Sequence, residues 1–324
     1  MPPDPTLIGD ILPDLAVSLS LRKREARGER LDVENRIQYG VMENNLGRKA
    51  IWWPLSGPPS TPSVEQQVLE FESRDVVGHL VIHSAMGRLT IYEMEVVSWI
   101  LGKWVENENP DSPMVEFTLA ELAREFKVAW GGSRAQFTKH ALEKLDRVRF
   151  TAEVWSASRG ELVTEHFGIF DRVTIKERKT ARLGPQRGPA PVRVKLNDFL
   201  YEQLKMGQFH RYSWQVLRGN LSSPLAKRLY VFLDGQRGYE TEEGWLYEHK
   251  IDAELLATLG INDTNERRAR RHISAACAEL AAAEKRYIRC EVRAASNSRR
   301  GWVLSAVRSR PARVMTSLAS TPSE

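Results

Sequence analysis

One order of elements recurs in this 324-residue chain, and it constrains the fold more than any single motif does. In the first half, Thr90-Ile-Tyr-Glu93 has the T-x-x-E form of a capping box, in which the threonine and glutamate side chains satisfy free backbone N–H groups reciprocally. It predicts a helix with Ile91, Met94, Val97, Trp99, Leu101 and Val105 as its apolar positions. Thr118-Leu-Ala-Glu121 is a second box, starting a short helix through Phe126. After a Gly131-Gly132 turn, Ser133-Arg-Ala-Gln136 reads as a third box, opening a helix with Phe137, Ala141, Leu145 and Val148 inward. The runs RFTAEVWS and ELVTEHFGIF, joined by Ala157-Ser-Arg-Gly160, then read as a hairpin.

The second half repeats the order. Ser222-Ser223-Pro224 supplies an N-cap followed by proline at the first helical position, leading into LAKRLYVFLDG. Asp252 begins a short helix that Gly260 closes. Asp263, three residues before Glu266, is expected to cap a long helix with Ala269, Ile273, Ala276, Leu280 and Ala283 on one face. Tyr287 to Ala294 and Trp302 to Val307 form another hairpin, with the tip SNSRRG. Helix, short helix, turn, long helix, hairpin is the winged form of the helix-turn-helix, whose second helix enters the DNA major groove. The expected fold class is α+β, built as two tandem winged-helix (helix-turn-helix plus β-hairpin) domains.

Breaks in the pattern place the boundaries. Residues 1–33 are expected to be a flexible arm, Pro-rich and then basic in LRKREARGER. WWPLSGPPSTPS reads as an extended loop, and KTARLGPQRGPAP as a linker at 179–191, with or without its tip on DNA. The first domain is then 34–178, the second 192–310, and 311–324 a disordered tail. A 42% hydrophobic, 27% charged composition suits two soluble domains, each able to bury a core. MPPDPTLIGD is unlike a secretory signal peptide, and no apolar run approaches a membrane span. Two cysteines, Cys277 and Cys290, fit a reducing cytoplasm better than a disulfide framework, so a cytoplasmic protein is expected.

Net charge is only +5, but its distribution is uneven. Eight basic residues between Arg172 and Lys195 face one acid, and nine between Lys285 and Arg313 face one. The stretch between these blocks, Glu240 to Glu254, is net acidic, which points to a charged face on a folded protein and to a polyanion partner. In the long helix of the second half, Arg267, Arg271 and Ser274 point outward and Arg268 and Arg270 flank them, while Ala275 and Ala278 leave room for a duplex. Arginine's planar fork matches guanine O6/N7 and phosphate. Four arginines also oppose the dipole at the helix N-terminus, which suggests an external anion.

In the first half Ser133, Arg134, Gln136, Lys139 and His140 form the corresponding candidate set, although Glu143 on the same face would repel phosphate. An ordinary solvated face is the competing reading of both helices. Arg159 and the tip residues Asn297, Ser298, Arg299 and Arg300 are placed as wings are, and Arg182 and Arg187 as linker contacts to phosphate. No G-x-x-x-x-G-K-[ST] phosphate loop and no His-x-His cluster with a nucleophilic tyrosine occur, so neither an ATP motor nor a rolling-circle nuclease is expected. His79 and His83 share a strand face without further ligands, so no metal and no cofactor is expected. Trp52, Trp53, Trp99, Trp104, Tyr201, Tyr212 and Tyr230 read as core or interface residues, with contact to single-stranded DNA left open.

The chain resembles the plasmid replication initiator protein A family. The residues that carry the resemblance are ENRIQYGV (Glu34 to Val41), GRLTIYEMEVV (Gly87 to Val97), FTLAELAREF (Phe117 to Phe126), GGSRAQFTKHALEKLDRVRFTAEV (Gly131 to Val154), VRVKLNDFLYEQL (Val192 to Leu204) and SPLAKRLYVFLDGQRG (Ser223 to Gly238). The resemblance implies tandem winged helices that bind repeated origin sites (iterons) on double-stranded DNA as monomers, with a homodimer repressing the protein's own promoter. It also implies distortion of adjacent AT-rich DNA and recruitment of the host initiator and replicative helicase, without membrane association. The base-contacting residues of the C-terminal half are read from the sequence, not carried over from the family. A non-enzymatic initiator of a plasmid or secondary replicon is thus the expectation, with a transcriptional regulator and an origin-nicking nuclease as alternatives.

Overall fold

The computed structural model describes residues 37–48, 51–54, 65–73, 76–107, 111–126, 132–156, 161–175, 191–236, 238–263, 265–295 and 301–309. Strand β1 (Tyr39–Glu43) and helix α1 (Asn44–Arg48) precede a hairpin of β2 (Glu65–Ser73) and β3 (Val76–Ser84). Helix α2 (Ile91–Glu106), β4 (Met114–Thr118), α3 (Leu119–Glu125) and α4 (Gly132–Arg147) follow. Four strands come next: β5 (Arg149–Ser156), β6 (Glu161–Phe167), β7 (Phe170–Ile175) and β8 (Pro191–Leu196). Helix α5 (Asp198–Lys205), β9 (Phe209–Ser213) and a π-helical turn (Val216–Asn220) lead to α6 (Pro224–Asp234). The chain then forms β10 (Tyr239–Glu240), β11 (Trp245–Lys250), α7 (Ala253–Thr258), α8 (Glu266–Ala283), β12 (Tyr287–Ala294) and β13 (Trp302–Arg308).

Side-chain caps set most helix starts where the sequence places them. Thr90 N donates to Glu93 Oε2 at 2.7 Å and Thr118 N to Glu121 Oε2 at 2.7 Å, completing both capping boxes. Ser223 caps α6 with Pro224 behind it, and Asp252 accepts from Leu255 N to cap α7. Gly260, at φ 72°, ends α7 with a bond from Ile261 N back to the Leu256 carbonyl. Two expected caps are corrected. Asn265 caps α8, its side chain accepting from Arg268 N, while Asp263 accepts from Asn265 N and pairs with Arg268. Helix α4 begins at Gly132, so Ser133 lies inside it instead of capping it.

Two of the sheets share one strand order. In the order β4-β8-β7, the strand that enters the short helix α3 lies beside the second strand of the β7–β8 hairpin, which comes after β5 and β6. In β10-β11-β13-β12, the strand entering α7 likewise lies beside the second strand of the hairpin following α8. The β5–β6 hairpin forms as expected, but it is not the one that pairs with β4. It extends β3 instead, giving the sheet β2-β3-β5-β6. The hairpin beside β4 is β7–β8, and its connection, residues 176–190, takes in nearly all of the segment read as a linker.

Residues Ile37–Ser309 form one compact unit. Residues 1–36 and 310–324, which take in the arm and tail expected from the sequence, lie outside the described residues. Helix α2 is buried on nearly every side, with Met94, Val96, Val97, Ile100 and Leu101 inaccessible, and Trp52, Trp99, Trp104, Tyr212 and Tyr230 are core residues as read. β1 pairs with β9 across the two halves of the sequence. Tyr212 Oη bonds Ser98 Oγ at 2.5 Å, and Trp214 Nε1 donates to Glu125 at 3.2 Å. Arg228, fully buried, donates to the carbonyls of Gly47 at 2.6 Å and Thr258 at 3.0 Å. Burial pushes its guanidinium down to about 9, so it stays charged at neutral pH. Cys277 and Cys290 are buried and free.

Candidate nucleic-acid interface

The long helix α8 sorts its residues by face as the 3.6-residue period dictates. Ala269, Ile273, Ala276, Cys277 and Leu280 are buried, whereas Arg267, Arg271, His272, Ser274, Ala275 and Ala278 are exposed. The small residues at 274, 275 and 278 keep the outer surface low, so that a large flat partner can approach the backbone. Glu279 fastens the far end of the helix, accepting from Ser222 N at 2.5 Å, Ser222 Oγ at 2.9 Å and Ser223 N at 3.0 Å.

The four arginines at the head of α8 are not equivalent. Arg268 is held by Asp263, with Nη2 to Oδ1 at 2.9 Å, and this hydrogen bond keeps the Asp263 carboxyl below its usual range. Arg270 lies with its guanidinium carbon 4.3 Å from the centre of the Trp302 ring. Arg267 and Arg271 stand exposed on the outer face with Ser274. The tip residues Asn297, Ser298, Arg299 and Arg300 lie outside the described residues. Their flanking strands β12 and β13 are described, and Ala295 N bonds the Gly301 carbonyl at 3.0 Å to close the hairpin below them.

Helix α4 presents a weaker version of the same face. Gln136 is exposed, His140 is half-buried, and Lys139 lies 3.9 Å from Glu143, so the expected repelling acid is partly neutralised. Ser133 and Arg134 belong to the helix, but their side chains lie outside the described set, as do Arg159, Arg182 and Arg187 entirely. The structure therefore brings Arg267, Arg268, Arg270, Arg271 and Ser274 together on one helix, and Gln136, Lys139 and His140 on another.

Sequence reasoning missed three contacts around these faces. Lys144, in the last turn of α4, is buried 3.5 Å from Glu93 and bonded to the Arg88 carbonyl. Trp302 stacks on Arg270, and Asp263 clamps Arg268. The first two have no local signature, since their partners are brought in by tertiary packing, whereas Asp263 and Arg268 are only five residues apart. Among the described residues no group of three His, Cys, Asp or Glu could hold a metal ion, and no helix is long and apolar enough to cross a membrane.

A family model described as "Replication initiator protein A" matches residues 61–276. Two solved structures, of RctB domains 2–3 and of selenomethionine derivatives of RctB domains 2 and 3, are similar in fold at 11% sequence identity. The first covers 78% of this chain and 94% of its own with a TM-score of 0.53. The second covers 79% and 95% with a TM-score of 0.51. No curated protein matches the sequence.

Proposed function

Because the chain belongs to the replication initiator protein A family, we propose that it starts replication of a plasmid or secondary replicon by binding repeated origin sites, and that its two strand–helix–helix–hairpin units are tandem winged helices. The single observation that carries this reading is the shared strand order of β4-β8-β7 and β11-β13-β12, each with the strand entering the short helix beside the second hairpin strand, although β5 and β6 intervene between α4 and β7 in the first. In each, the long helix packs against the first strand of its hairpin, which supports a reading in which the helix enters the major groove and the hairpin reaches along the backbone. Helix α8 is the main reader of sequence, because its outer face carries exposed arginines over a surface of small residues. Helix α4, with its Lys139–Glu143 pair, is a secondary contact.

The activity proposed is binding, with no catalytic step. Opening of AT-rich DNA is then driven by binding energy and by recruited host initiator and helicase, and a homodimer on the promoter represses synthesis of the protein. Footprinting on the DNA flanking the gene tests this. Protection of several tandem direct repeats in phase is the expected result. A single inverted repeat at a promoter, with replication intact when the protein is absent, would overturn it in favour of a transcriptional regulator. A magnesium-dependent nick in supercoiled origin DNA would overturn the non-enzymatic part.

A further inference from the structure

Two of the four arginines at the head of α8 are engaged within the protein itself. Arg268 belongs to Asp263. Arg270 reaches in the other direction, from the second turn of α8 onto the ring of Trp302, while its Nε donates to the Glu266 carbonyl at 3.2 Å. Trp302 is the first residue of β13 and pairs with Ala294, the last residue of β12, so it stands at the end of the β12–β13 hairpin nearest the tip. Its carbonyl accepts from Ile251 N at 2.8 Å, which anchors its backbone beside the start of α7. The ring is 39% exposed, unusually open for a tryptophan, and a guanidinium laid over it gives it a fixed place.

We propose that Arg270 and Trp302 form a pin that sets the hairpin against α8, leaving base reading to Arg267 and Arg271. This rests on the reading of α8 and β12–β13 as recognition helix and wing. The pairing of β11 with β13 ends at Val303, and beyond it the end of the hairpin can rock relative to the helix. A guanidinium lying on a ring at that end restrains the rocking. Arg270 thus acts through Trp302 as a positioning residue.

Hydrogen exchange in the DNA-free full-length chain tests the pin by itself. Arg270→Ala and Trp302→Ala should each speed exchange near Arg293, Ala294 and Val303 by roughly 2- to 30-fold, the range open to a guanidinium–ring contact. Ile273 to Leu280 of α8 should be unaffected, Trp302→Phe should restore protection, and the double alanine variant should match either single one. Unchanged exchange in both single variants would overturn the pin. Binding to a fragment of the flanking origin DNA tests the division of labour. Trp302→Ala should lower the slope of log affinity against log salt by about 1 although it removes no charge, because wing contacts to phosphate are lost. Base preference should be kept at every position in both variants. Relaxed preference at one position in Arg270→Ala, or an unchanged slope in Trp302→Ala, would overturn the assignment. If the wild-type chain leaves the fragment unbound, the nucleic-acid reading fails, and the exchange data still decide the pin.

Discussion

Glu95→Ala should destabilise the whole described body, and the structure allows the cost to be worked out. Glu95 is 2% exposed on α2, with Oε2 2.5 Å from Arg218 Nη1 and Oε1 2.8 Å from Lys227 Nζ. Arg218 lies in the π-helical turn and Lys227 on α6, so one carboxylate joins a first-half helix to two second-half elements. At an effective dielectric near 20, each contact carries roughly 6 kcal/mol of bare Coulomb attraction, most of which desolvation cancels. Breaking such a buried pair by removing one partner typically costs about 3–5 kcal/mol, because the remaining charge is left uncompensated. Here the cations are 20% and 13% exposed, and Arg218 keeps the Phe126 carbonyl at 3.0 Å and the Phe126 ring at 4.6 Å. The lower end, about 3 kcal/mol, is therefore expected. Urea unfolding followed by tryptophan fluorescence should show a lower midpoint with an unchanged slope. The triple variant Glu95→Leu, Arg218→Met, Lys227→Met should recover to within about 1 kcal/mol of wild type, since no stranded charge remains. A loss below about 1 kcal/mol in Glu95→Ala, the value of a solvent-screened pair, would refute the reasoning.

Arg271→Ala should weaken DNA binding by about 1–3 kcal/mol and relax preference at one base position, read by affinity across single-base variants of the site. A uniform loss would mean that α8 does not read bases. His210 should make stability fall with acid. Its ring touches the space that side chains at Gly47 and Gly235 would fill, and its nitrogens lie 3.1 Å from the Val231 carbonyl and 3.3 Å from Asn44. Desolvation pushes its pKa down to about 4 from 6.5, so the unfolded chain binds the extra proton first. The contribution is complete above pH 6.5 and is lost as pH falls towards 4, by up to about 3 kcal/mol, and His210→Gln should flatten that slope in urea titrations at several pH values. Gly260→Ala forces a left-handed residue and brings a Cβ within 2.6 Å of Pro54 Cδ, so a loss of about 1–3 kcal/mol in thermal or urea unfolding is expected.

What was legible in the sequence was local. Capping boxes at Thr90 and Thr118, the proline after Ser223 and the glycine after α7 act over a few residues, and each ended or began a helix where its chemistry required. The face of α8 was legible for the same reason, since period alone separates Ile273 from Arg271. Strand pairing was not, because it is settled at long range. Both β5–β6 and β7–β8 are alternating runs, and nothing within either states which one will lie beside β4. The cap of α8 was misplaced because Asp263 and Asn265 are both good caps, and Asp263 is drawn off by Arg268. Buried charges such as Lys144 and Glu95 were invisible, as each looks like a surface residue until its partner arrives from elsewhere.

The two long helices are docked by different physics, and the difference explains the arginines at the head of α8. Helix α4 is held by directional contacts: Lys144 to Glu93 at 3.5 Å, and Thr138 to the Tyr92 hydroxyl at 3.0 Å. Glu93 also caps α2, so the register of α4 is tied to the start of its supporting helix. Helix α8 buries Ala269, Ile273, Ala276, Cys277 and Leu280, contacts that set how deeply it sits but resist rotation about its axis only weakly. Rotation by even part of a turn would carry Arg267 and Arg271 off any base edge, since a hydrogen bond tolerates only a few tenths of an ångström. Such a helix needs restraints at its ends. Glu279 supplies one at the far end through Ser222 and Ser223, and Asp263 supplies the other at the head through Arg268. Arg268 and Arg270, the inner two of the four arginines, are thus taken up within the protein, and the outer two, Arg267 and Arg271, stand exposed in the orientation that the end restraints fix.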